Sequence, residues 1–434
     1  MADRRATTWG IAALGLLPFF VDIGTLTTNA SAFALRTPPP MGQAVHASFI
    51  LVAILLGISW LRRPHLVPIS AQHLPRNATR LTVAALVFLT AAFFNAAFIE
   101  RAVATDRYLQ TIIVVLPLFI APRLDIDPYR AVQATLVFSS GGLLIMTAYI
   151  TQNGGAGVLG STDRFRINEA FPQILIYLPF LAVIALAGAL AGTQQPKLLR
   201  LTAGASTVIF LGFNYSRTTI ALIALAALGS GLFPAPGSGE HGRVARAIGG
   251  VLLATAVFVL SAGTVAGARF SSIDTGRGAI WGETIDRLGR SPMFGEGFVP
   301  RSDINLKPWD THNQFLEFLL RGGIVGGTCA IAATYLLAMR LVRQQPADRG
   351  PESDLHRIAL ILLGAGLVGG MSNVYLTQLF PGVFVWFAVG LAHASISHVD
   401  EASRTASVTS SGVNTDAPNV AAKTATFSSS KGTP

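Results

Sequence analysis

The sequence predicts an all-α integral membrane protein with about twelve transmembrane helices and one long external loop. Hydrophobic residues make up 51% of the chain and charged residues only 12%, and the mean hydropathy is +0.53. Soluble domains carry roughly 25% charged residues, so this composition is typical of a chain that lies in a bilayer. Long apolar segments recur along the chain, and the loops between them alternate between rich and poor in Lys and Arg.

Twelve apolar segments are candidates for membrane spans. A spanning helix needs roughly 20 apolar residues, and the segments that begin at 108, 201 and 358 are short by that measure. We therefore expect about ten to twelve spans. In order, the segments are 10–35, 44–61, 81–99, 108–121, 131–151, 171–192, 201–213, 218–233, 247–268, 315–339, 358–371 and 376–396.

The distribution of basic residues predicts the orientation of these spans, because short cytoplasmic loops are rich in Lys and Arg. With an internal amino terminus, sixteen such residues fall in cytoplasmic loops and six in the opposite short loops. Both ends are then cytoplasmic, and the long loop 269–311, between the ninth and tenth spans, faces outward. In a bacterium that is the periplasmic side of the inner membrane. The cytoplasmic set is Arg4, Arg5, Arg62, Arg63, Arg76, Arg80, Arg123, Arg130, Lys197, Arg200, Arg243, Arg246, Arg340, Arg343, Arg349 and Arg357.

The net charge of +10 does not indicate a nucleic-acid partner. The basic residues are spread over loops on both faces of the membrane and form no stripe interleaved with aromatic residues. Anionic head groups of membrane lipids account for the cytoplasmic share. Cys329, in an apolar segment, is the single cysteine of the sequence. A single cysteine excludes an intrachain disulfide and a thiolate metal site.

One polytopic membrane domain is predicted for residues 1–398, since no repeat of fixed period is visible. The first segment, 10–35, also has features of a signal peptide. It is long for one, and its removal would upset the charge pattern of every later loop, so we expect it to be retained. Residues 399–434 are rich in Ser, Thr, Ala and Asn and are expected to form a disordered cytoplasmic tail.

The external loop contains its own structural signals. Apolar residues at helical spacing in 280–289 predict an amphipathic helix on the membrane surface. Ser291 and Pro292 are expected to end that helix, and Gly295 and Gly297 indicate a tight turn after it.

Several residues on the external side form a candidate site: Arg164, Arg166, Arg217, Arg277, Trp281 and His312. A guanidinium offers planar, bidentate and permanently charged donors to phosphate, which favours a lipid pyrophosphate as the ligand. His312 lies where the polar loop enters an apolar helix. Nearby arginines would favour its neutral form, which a general base needs.

Each of these residues also has a structural interpretation. Arg217 could anchor a helix end, and Arg164 and Arg166 could be simple loop charges. Trp281 could belong to an interfacial aromatic belt. His312 could be only a helix-start residue with Thr311 as the cap, and Glu317, about one turn further on, could bond His312 or face a cavity.

Four motifs, in this order, resemble the superfamily of O-antigen ligases and O-antigen and exopolysaccharide polymerases. They are Asn214-Tyr-Ser216-Arg217-Thr-Thr opening an apolar helix, Arg277-x-x-x-Trp281, Pro292-x-x-Gly295-x-Gly297, and His312-Asn313 followed by Gly323-Ile-Val-Gly326. The segment Arg166-Ile-Asn168-Glu-Ala170 is similar to the arginine-rich segment of that superfamily. The resemblance covers about 160–330, and Arg321 departs from the acidic or neutral residue common before the glycine pair.

The resemblance implies an inverting, metal-independent glycosyltransferase that needs no cofactor and acts on the periplasmic face. Its donor would be a glycan on undecaprenyl pyrophosphate, and its acceptor a hydroxyl of the lipid A core or of a growing polysaccharide. By the same resemblance, His312 would activate the acceptor, and Arg217 and Arg277, with Arg166 or Arg164, would bind the pyrophosphate. Ser216, Trp281, Asn313 and Glu317 would have supporting roles.

The acceptor distinguishes the activities within this superfamily. An O-antigen ligase, with a role in lipopolysaccharide biosynthesis, is the first expectation, and a repeat-unit polymerase is close behind it. Protein-directed members usually carry an extra carboxyl-terminal soluble domain, which 399–434 does not resemble. A lipid-linked glycan transporter, suggested by the many spans and by Asp22, is a distant alternative because no inverted repeat is visible.

Overall fold

The computed structural model describes residues 74–100, 105–123, 126–152, 174–213, 217–233, 244, 277–298, 311, 313–346, 349–371, 374–377 and 381–396. In these ranges the fold is all-helical and contains no strand. The helices are α1 (Arg76–Glu100), α2 (Thr105–Ile120), α3 (Pro128–Gln152), α4 (Ile174–Ala191), α5 (Lys197–Phe213), α6 (Arg217–Leu232), α7 (Arg277–Arg290), α8 (Gln314–Arg343), α9 (Pro351–Gly369) and α10 (Pro381–Ile396).

Nine of the twelve predicted apolar segments fall wholly or largely in the described ranges, and the described part of each lies largely within a helix. The other three segments, 10–35, 44–61 and 247–268, lie outside the described residues, as does the predicted tail 399–434. The all-helical class is therefore confirmed for the described part of the chain, whereas the total of twelve spans stays a prediction.

Two of the described helices are long and apolar enough to cross a membrane, Arg76–Ile99 within α1 and Gln314–Arg343. Only 28% of the most apolar window of the first and 33% of that of the second are buried within the structure. The core helix of a soluble protein would be mostly buried. On α1, by contrast, Val87 is 60% exposed and Phe98 83% exposed. Apolar side chains exposed in this way suit a lipid environment better than water.

Helix α4 forms the centre of a bundle with α3, α5, α6 and α9. Its sequence from Pro179 to Ala191 is apolar on every side, and such a helix is stable only when other helices surround it. The structure agrees, because every side chain from Phe180 to Ala185 is fully buried.

A second group of helices contains the candidate site. Helix α8 packs along α1, and α7 packs against α8. The amphipathic helix predicted for 280–289 is confirmed as α7, which ends at Arg290, next to the predicted stop. Its Ile280 and Thr284 are buried, one helical turn apart, whereas Ile285 is 56% exposed.

Arg357 joins the ends of two helices of the bundle. Sequence analysis counts it among the cytoplasmic loop charges, but it lies within α9 and is 2% exposed. Its Nε donates to the Phe233 carbonyl, just after α6, at 2.8 Å, and its NH1 donates to the Ala191 carbonyl, at the end of α4, at 3.1 Å. The last carbonyls of a helix have no partner within the helix, so this guanidinium satisfies both ends.

Asp354, one turn before Arg357, binds the connection after α4. Its carboxylate accepts hydrogen bonds from the Thr193 hydroxyl and the Gln194 N–H, each at 2.8 Å. It also lies 3.9 Å from NH1 of Arg357. The first turn of α9 therefore fixes how α4 and α6 end.

We expect Arg357→Ala to destabilise the bundle by about 3–5 kcal/mol, because the buried Asp354 carboxylate loses its ion-pair partner and the Phe233 and Ala191 carbonyls each lose a hydrogen bond. The matched control is Arg343→Ala, at an exposed position, which should change stability by less than about 0.5 kcal/mol. Thermal unfolding of both variants in detergent, followed by size-exclusion fluorescence, measures the difference. Equal midpoints would contradict this role for Arg357.

Candidate functional site

Helix α8 is interrupted at Gly323, where its backbone exchanges hydrogen bonds with the turn after α7. In a regular helix the Ile324 N–H would donate to the Leu320 carbonyl. Here the Ile324 N–H donates to the Pro292 carbonyl at 2.7 Å, and the Leu320 carbonyl accepts from the Glu296 N–H at 2.8 Å. The turn thus replaces one bond of the helix with two bonds across the interface.

Glycine is required on both sides of this interface. Gly295 has φ 72° and Gly323 has φ 67°, in the left-handed region that residues with a Cβ rarely adopt. A Cβ on Gly295 would lie 2.6 Å from the Leu320 carbonyl oxygen, and one on Gly323 would overlap the Met293 carbonyl. The tight turn predicted at Gly295 and Gly297 is confirmed, and its purpose is close contact between two backbones.

The same turn also docks on α1 and α2. Gly297 has φ 62° and lies against α1, where a Cβ would come within 2.6 Å of the Ala92 carbonyl oxygen. Phe298, which is 3% exposed, packs edge-on against Phe93 of α1 and Tyr108 of α2 at ring-centroid distances of 6.5 and 5.7 Å. The turn is therefore held between α8 and the α1–α2 pair.

The start of α8 is capped by Asn313, which was expected to have a supporting role. Its side-chain oxygen accepts from the N–H groups of Phe315 and Leu316 at 3.0 and 3.1 Å. Such a cap satisfies two of the helix N–H groups that have no partner within the helix. The Thr311 hydroxyl donates to the Asn313 carbonyl at 2.7 Å and accepts from the Asn313 N–H at 3.2 Å. Thr311 and Asn313 are thus bonded to each other around position 312.

Trp281 and Glu317 hold the two polar backbone groups of Thr311. The indole Nε1 of Trp281 donates to the Thr311 carbonyl at 3.1 Å. The Glu317 carboxylate accepts from the Thr311 N–H at 3.4 Å, a long bond. Trp281 is therefore more than a belt aromatic, and Glu317 contacts a neighbour of His312 along the chain.

Glu317 forms a buried ion pair with Arg321. Nε of Arg321 lies 2.8 Å from Oε1 of Glu317, and the two side chains are 7% and 12% exposed. NH1 of Arg321 donates to the Gly297 carbonyl at 3.1 Å, and the guanidinium lies 5.3 Å from the centre of the Phe298 ring. Burying two charges is costly unless hydrogen bonds surround them, and these contacts supply such bonds.

Gln314 ties the first turn of α8 to the segment before α10. Its N–H donates to the Gly370 carbonyl at 2.6 Å, its side-chain oxygen accepts from the Leu376 N–H at 2.7 Å, and its Nε2 donates to the Thr377 hydroxyl at 3.2 Å. Sequence analysis missed Gln314 and treated Arg321 only as a departure from the family pattern. Their spacing was the available signal, because Gln314, Glu317 and Arg321 fall on one face of an apolar helix.

Some of the predicted site residues lie wholly or partly outside the described structure. Arg217 is the first residue of α6 and Arg277 the first residue of α7, and their side chains are outside it. The remaining candidates, Arg164, Arg166, Ser216 and His312, lie outside the described residues altogether. Their roles stay predictions.

A partly open cavity adjoins the ion pair. Residues of α1, α2, α8 and Trp386 of α10 line it, and most of them are apolar. Its charged lining residues are Glu317 and Arg321, and its lining on α8 continues to Leu337, roughly 30 Å of helix beyond Glu317. The lining of the cavity is thus charged near the start of α8, and the rest of it is mostly apolar, with four threonines.

Within the described residues, no group of three or more His, Cys, Asp or Glu side chains is placed to hold a metal ion. No protein-family model matches this chain, and no curated protein matches it.

We expect Gly323→Ala to cost at least about 1–3 kcal/mol of stability, because the backbone conformation is strained for alanine and the added Cβ meets the Met293 carbonyl. Gly282→Ala is the matched control, since that glycine lies within α7 with no neighbour within 4 Å of the added Cβ. It should be neutral or stabilise by about 0.5–1 kcal/mol. Limited proteolysis of the 291–298 turn and thermal unfolding measure both. A Gly323→Ala variant as stable as the control would contradict the interlock, by which we mean the exchange of backbone hydrogen bonds between α8 and the turn after α7.

Proposed function

We propose that this chain is a multi-pass glycosyltransferase of the bacterial inner membrane. It transfers a glycan from undecaprenyl pyrophosphate to an acceptor hydroxyl on the periplasmic face, most closely in the manner of an O-antigen ligase. The proposal includes twelve spans with both ends in the cytoplasm, which places α7 and the start of α8 outside. A repeat-unit polymerase is the second candidate, because the two activities share these motifs and differ in the acceptor.

One observation carries the proposal: three of the four motifs that resemble this superfamily are in contact. Trp281 of the Arg277-x-x-x-Trp281 motif bonds Thr311, which precedes the His312-Asn313 motif. The Pro292-x-x-Gly295-x-Gly297 turn exchanges backbone bonds with α8 on both sides of Gly323. The residues in contact are 30 and 32 positions apart in the chain, so motifs that are separate patterns in the sequence meet in the fold.

In the proposed reaction, the His312 imidazole takes the proton of the acceptor hydroxyl, and the hydroxyl oxygen attacks the anomeric carbon of the donor sugar. The bond between that carbon and the phosphate oxygen breaks on the opposite face, so the configuration inverts. Undecaprenyl pyrophosphate leaves with the bonding electron pair, and the proton stays on His312 until it is passed to solvent. A well-placed general base contributes about 10²- to 10⁴-fold in rate.

Arginines stabilise the leaving pyrophosphate in this proposal. Arg217 and Arg277 are the first residues of α6 and α7, and a helix amino terminus itself favours an anion. Arg166 or Arg164 would add a third guanidinium. Fixed positive charges aimed at developing negative charge commonly contribute more to catalysis than any other single effect.

The apolar cavity beside Glu317 and Arg321 supports a lipid-linked donor. Its walls of Leu86, Val115 and Leu337 suit a hydrocarbon chain, and Glu317 at its charged end bonds Thr311, the residue before the proposed base in the chain. A soluble nucleotide sugar would need no apolar channel of that length.

We expect His312→Ala and Arg217→Ala each to lower transfer by about 10²-fold or more, since one removes the base and the other a charge on the leaving group. Each variant is expressed in a deletion strain, and surface glycan is followed by gel and staining after membrane insertion has been verified. Wild-type glycan in either variant would refute the assignment of that residue.

The deletion strain also distinguishes the candidate activities. Long glycan that accumulates on the lipid carrier while the lipid A core stays bare identifies a ligase. Single repeat units on carrier or core identify a polymerase. If lipid-linked glycan instead remains on the cytoplasmic face and the purified chain moves it across vesicles without forming a glycosidic bond, the chain is a transporter and the proposal is wrong.

We expect Ala330→Phe to raise the KM for the lipid-linked donor about tenfold, equivalent to about 1.4 kcal/mol, with a smaller change in kcat. Ala330 lines the cavity, and the larger ring would fill part of it. Ala332→Phe is the matched control, because Ala332 lies on the same helix, is similarly half-buried and is absent from the lining. Initial rates in nanodiscs at varied donor concentration measure the KM of both variants. Equal KM values would show that the cavity is not part of the donor site.

A further inference from the structure

We infer that Arg321, Glu317 and Trp281 are positioning residues for His312, acting through the backbone of Thr311. The inference rests on the proposed function, because it gives these side chains a purpose only if His312 is the base. None of the three needs to touch the substrate. Their task is to fix where the peptide that leads into His312 lies.

The peptide groups of Thr311 are held from two different helices. Trp281 of α7 binds the carbonyl of Thr311, which belongs to the peptide bond with His312. Glu317 of α8 binds the N–H of Thr311. On the other side of His312, Asn313 caps α8 and is bonded to the Thr311 hydroxyl. His312 therefore joins two residues whose backbones are fixed.

Arg321 connects this support to the glycine turn. Its Nε orients the Glu317 carboxylate at 2.8 Å, and its NH1 binds the Gly297 carbonyl at 3.1 Å. Gly297 lies against α1, and Phe298 beside it packs on α1 and α2. Through Glu317 and Arg321, Thr311 is thus held in position relative to the α1–α2 pair as well as to α7 and α8.

The choice of charged residues supports positioning over simple stability. A buried ion pair is often no more stable than apolar residues of similar volume. Arg321 and Glu317 nevertheless occupy the apolar interior, beside a cavity whose other lining is mostly apolar. A planar guanidinium can hold a carboxylate and a carbonyl in fixed directions at once, which an aliphatic side chain cannot do.

The test compares the rate of transfer in two backgrounds. With wild-type His312, we expect Glu317→Gln, Arg321→Gln and Trp281→Phe each to lower kcat about 10- to 100-fold, since a displacement of about 1 Å at a reacting group costs up to about 10²-fold. For Trp281→Phe, at a residue that does not line the cavity, the KM for the donor should change less than about threefold. Rates are normalised to folded, monodisperse protein in nanodiscs, with lipid-linked glycan extracted from the deletion strain as donor.

In a His312→Ala background the same substitutions should change the residual transfer by less than about twofold, because residues that act through one group are not additive with its removal. A merely structural role would lower the residual rate by the same factor as in the wild type. The matched control is Arg340→Gln, the same change on the same helix about 28 Å away, which should leave both rates unchanged.

Wild-type kcat in Arg321→Gln and Glu317→Gln would overturn the inference while leaving the proposed function intact, and so would equal losses in the two backgrounds. If Glu317→Gln does not fold, Trp281→Phe decides alone, because it removes the indole N–H and keeps an aromatic ring at a half-buried position. Absence of transfer by the wild-type chain, or full transfer by His312→Ala alone, would remove the proposed function and this inference together.

Discussion

The exchange of backbone hydrogen bonds between α8 and the turn after α7 is the constraint on which the candidate site depends. A transmembrane helix normally satisfies every backbone group within itself, because lipid offers no partner. Helix α8 departs from that rule at Gly323, and Pro292 and Glu296 supply the missing acceptor and donor. Helix α8 and the turn after α7 therefore each depend on the other for these hydrogen bonds.

This interlock explains why the polar residues near the start of α8 occur in one cluster. The turn brings the Gly297 carbonyl to Arg321, and α7 brings Trp281 to Thr311. Without the turn, Arg321 would lose one partner and bury a charge with fewer hydrogen bonds. The contacts that stabilise the turn are therefore also the contacts that set the geometry of the site.

The bundle around α4 follows a different rule. There the short polar contacts of Arg357 and Asp354 lie at helix ends, where they satisfy groups that no helix can satisfy alone. The interior of α4 is apolar and fully buried, so its position is set by packing and not by directional bonds. The candidate site thus depends on directional hydrogen bonds, whereas the bundle around α4 depends on the packing of apolar side chains.

The sequence by itself determined the all-helical class, the positions of nine apolar helices, the amphipathic helix α7 and the glycine turn, because hydrophobic period, proline and glycine act locally. It also identified Trp281, Asn313 and Glu317 as worth attention. Only the tertiary structure decided that Arg357 is a buried link between helix ends and that Gln314 and Arg321 belong to the site. Those roles depend on carbonyls up to 166 residues away in the chain, such as Ala191 for Arg357, and no local pattern encodes such a partner.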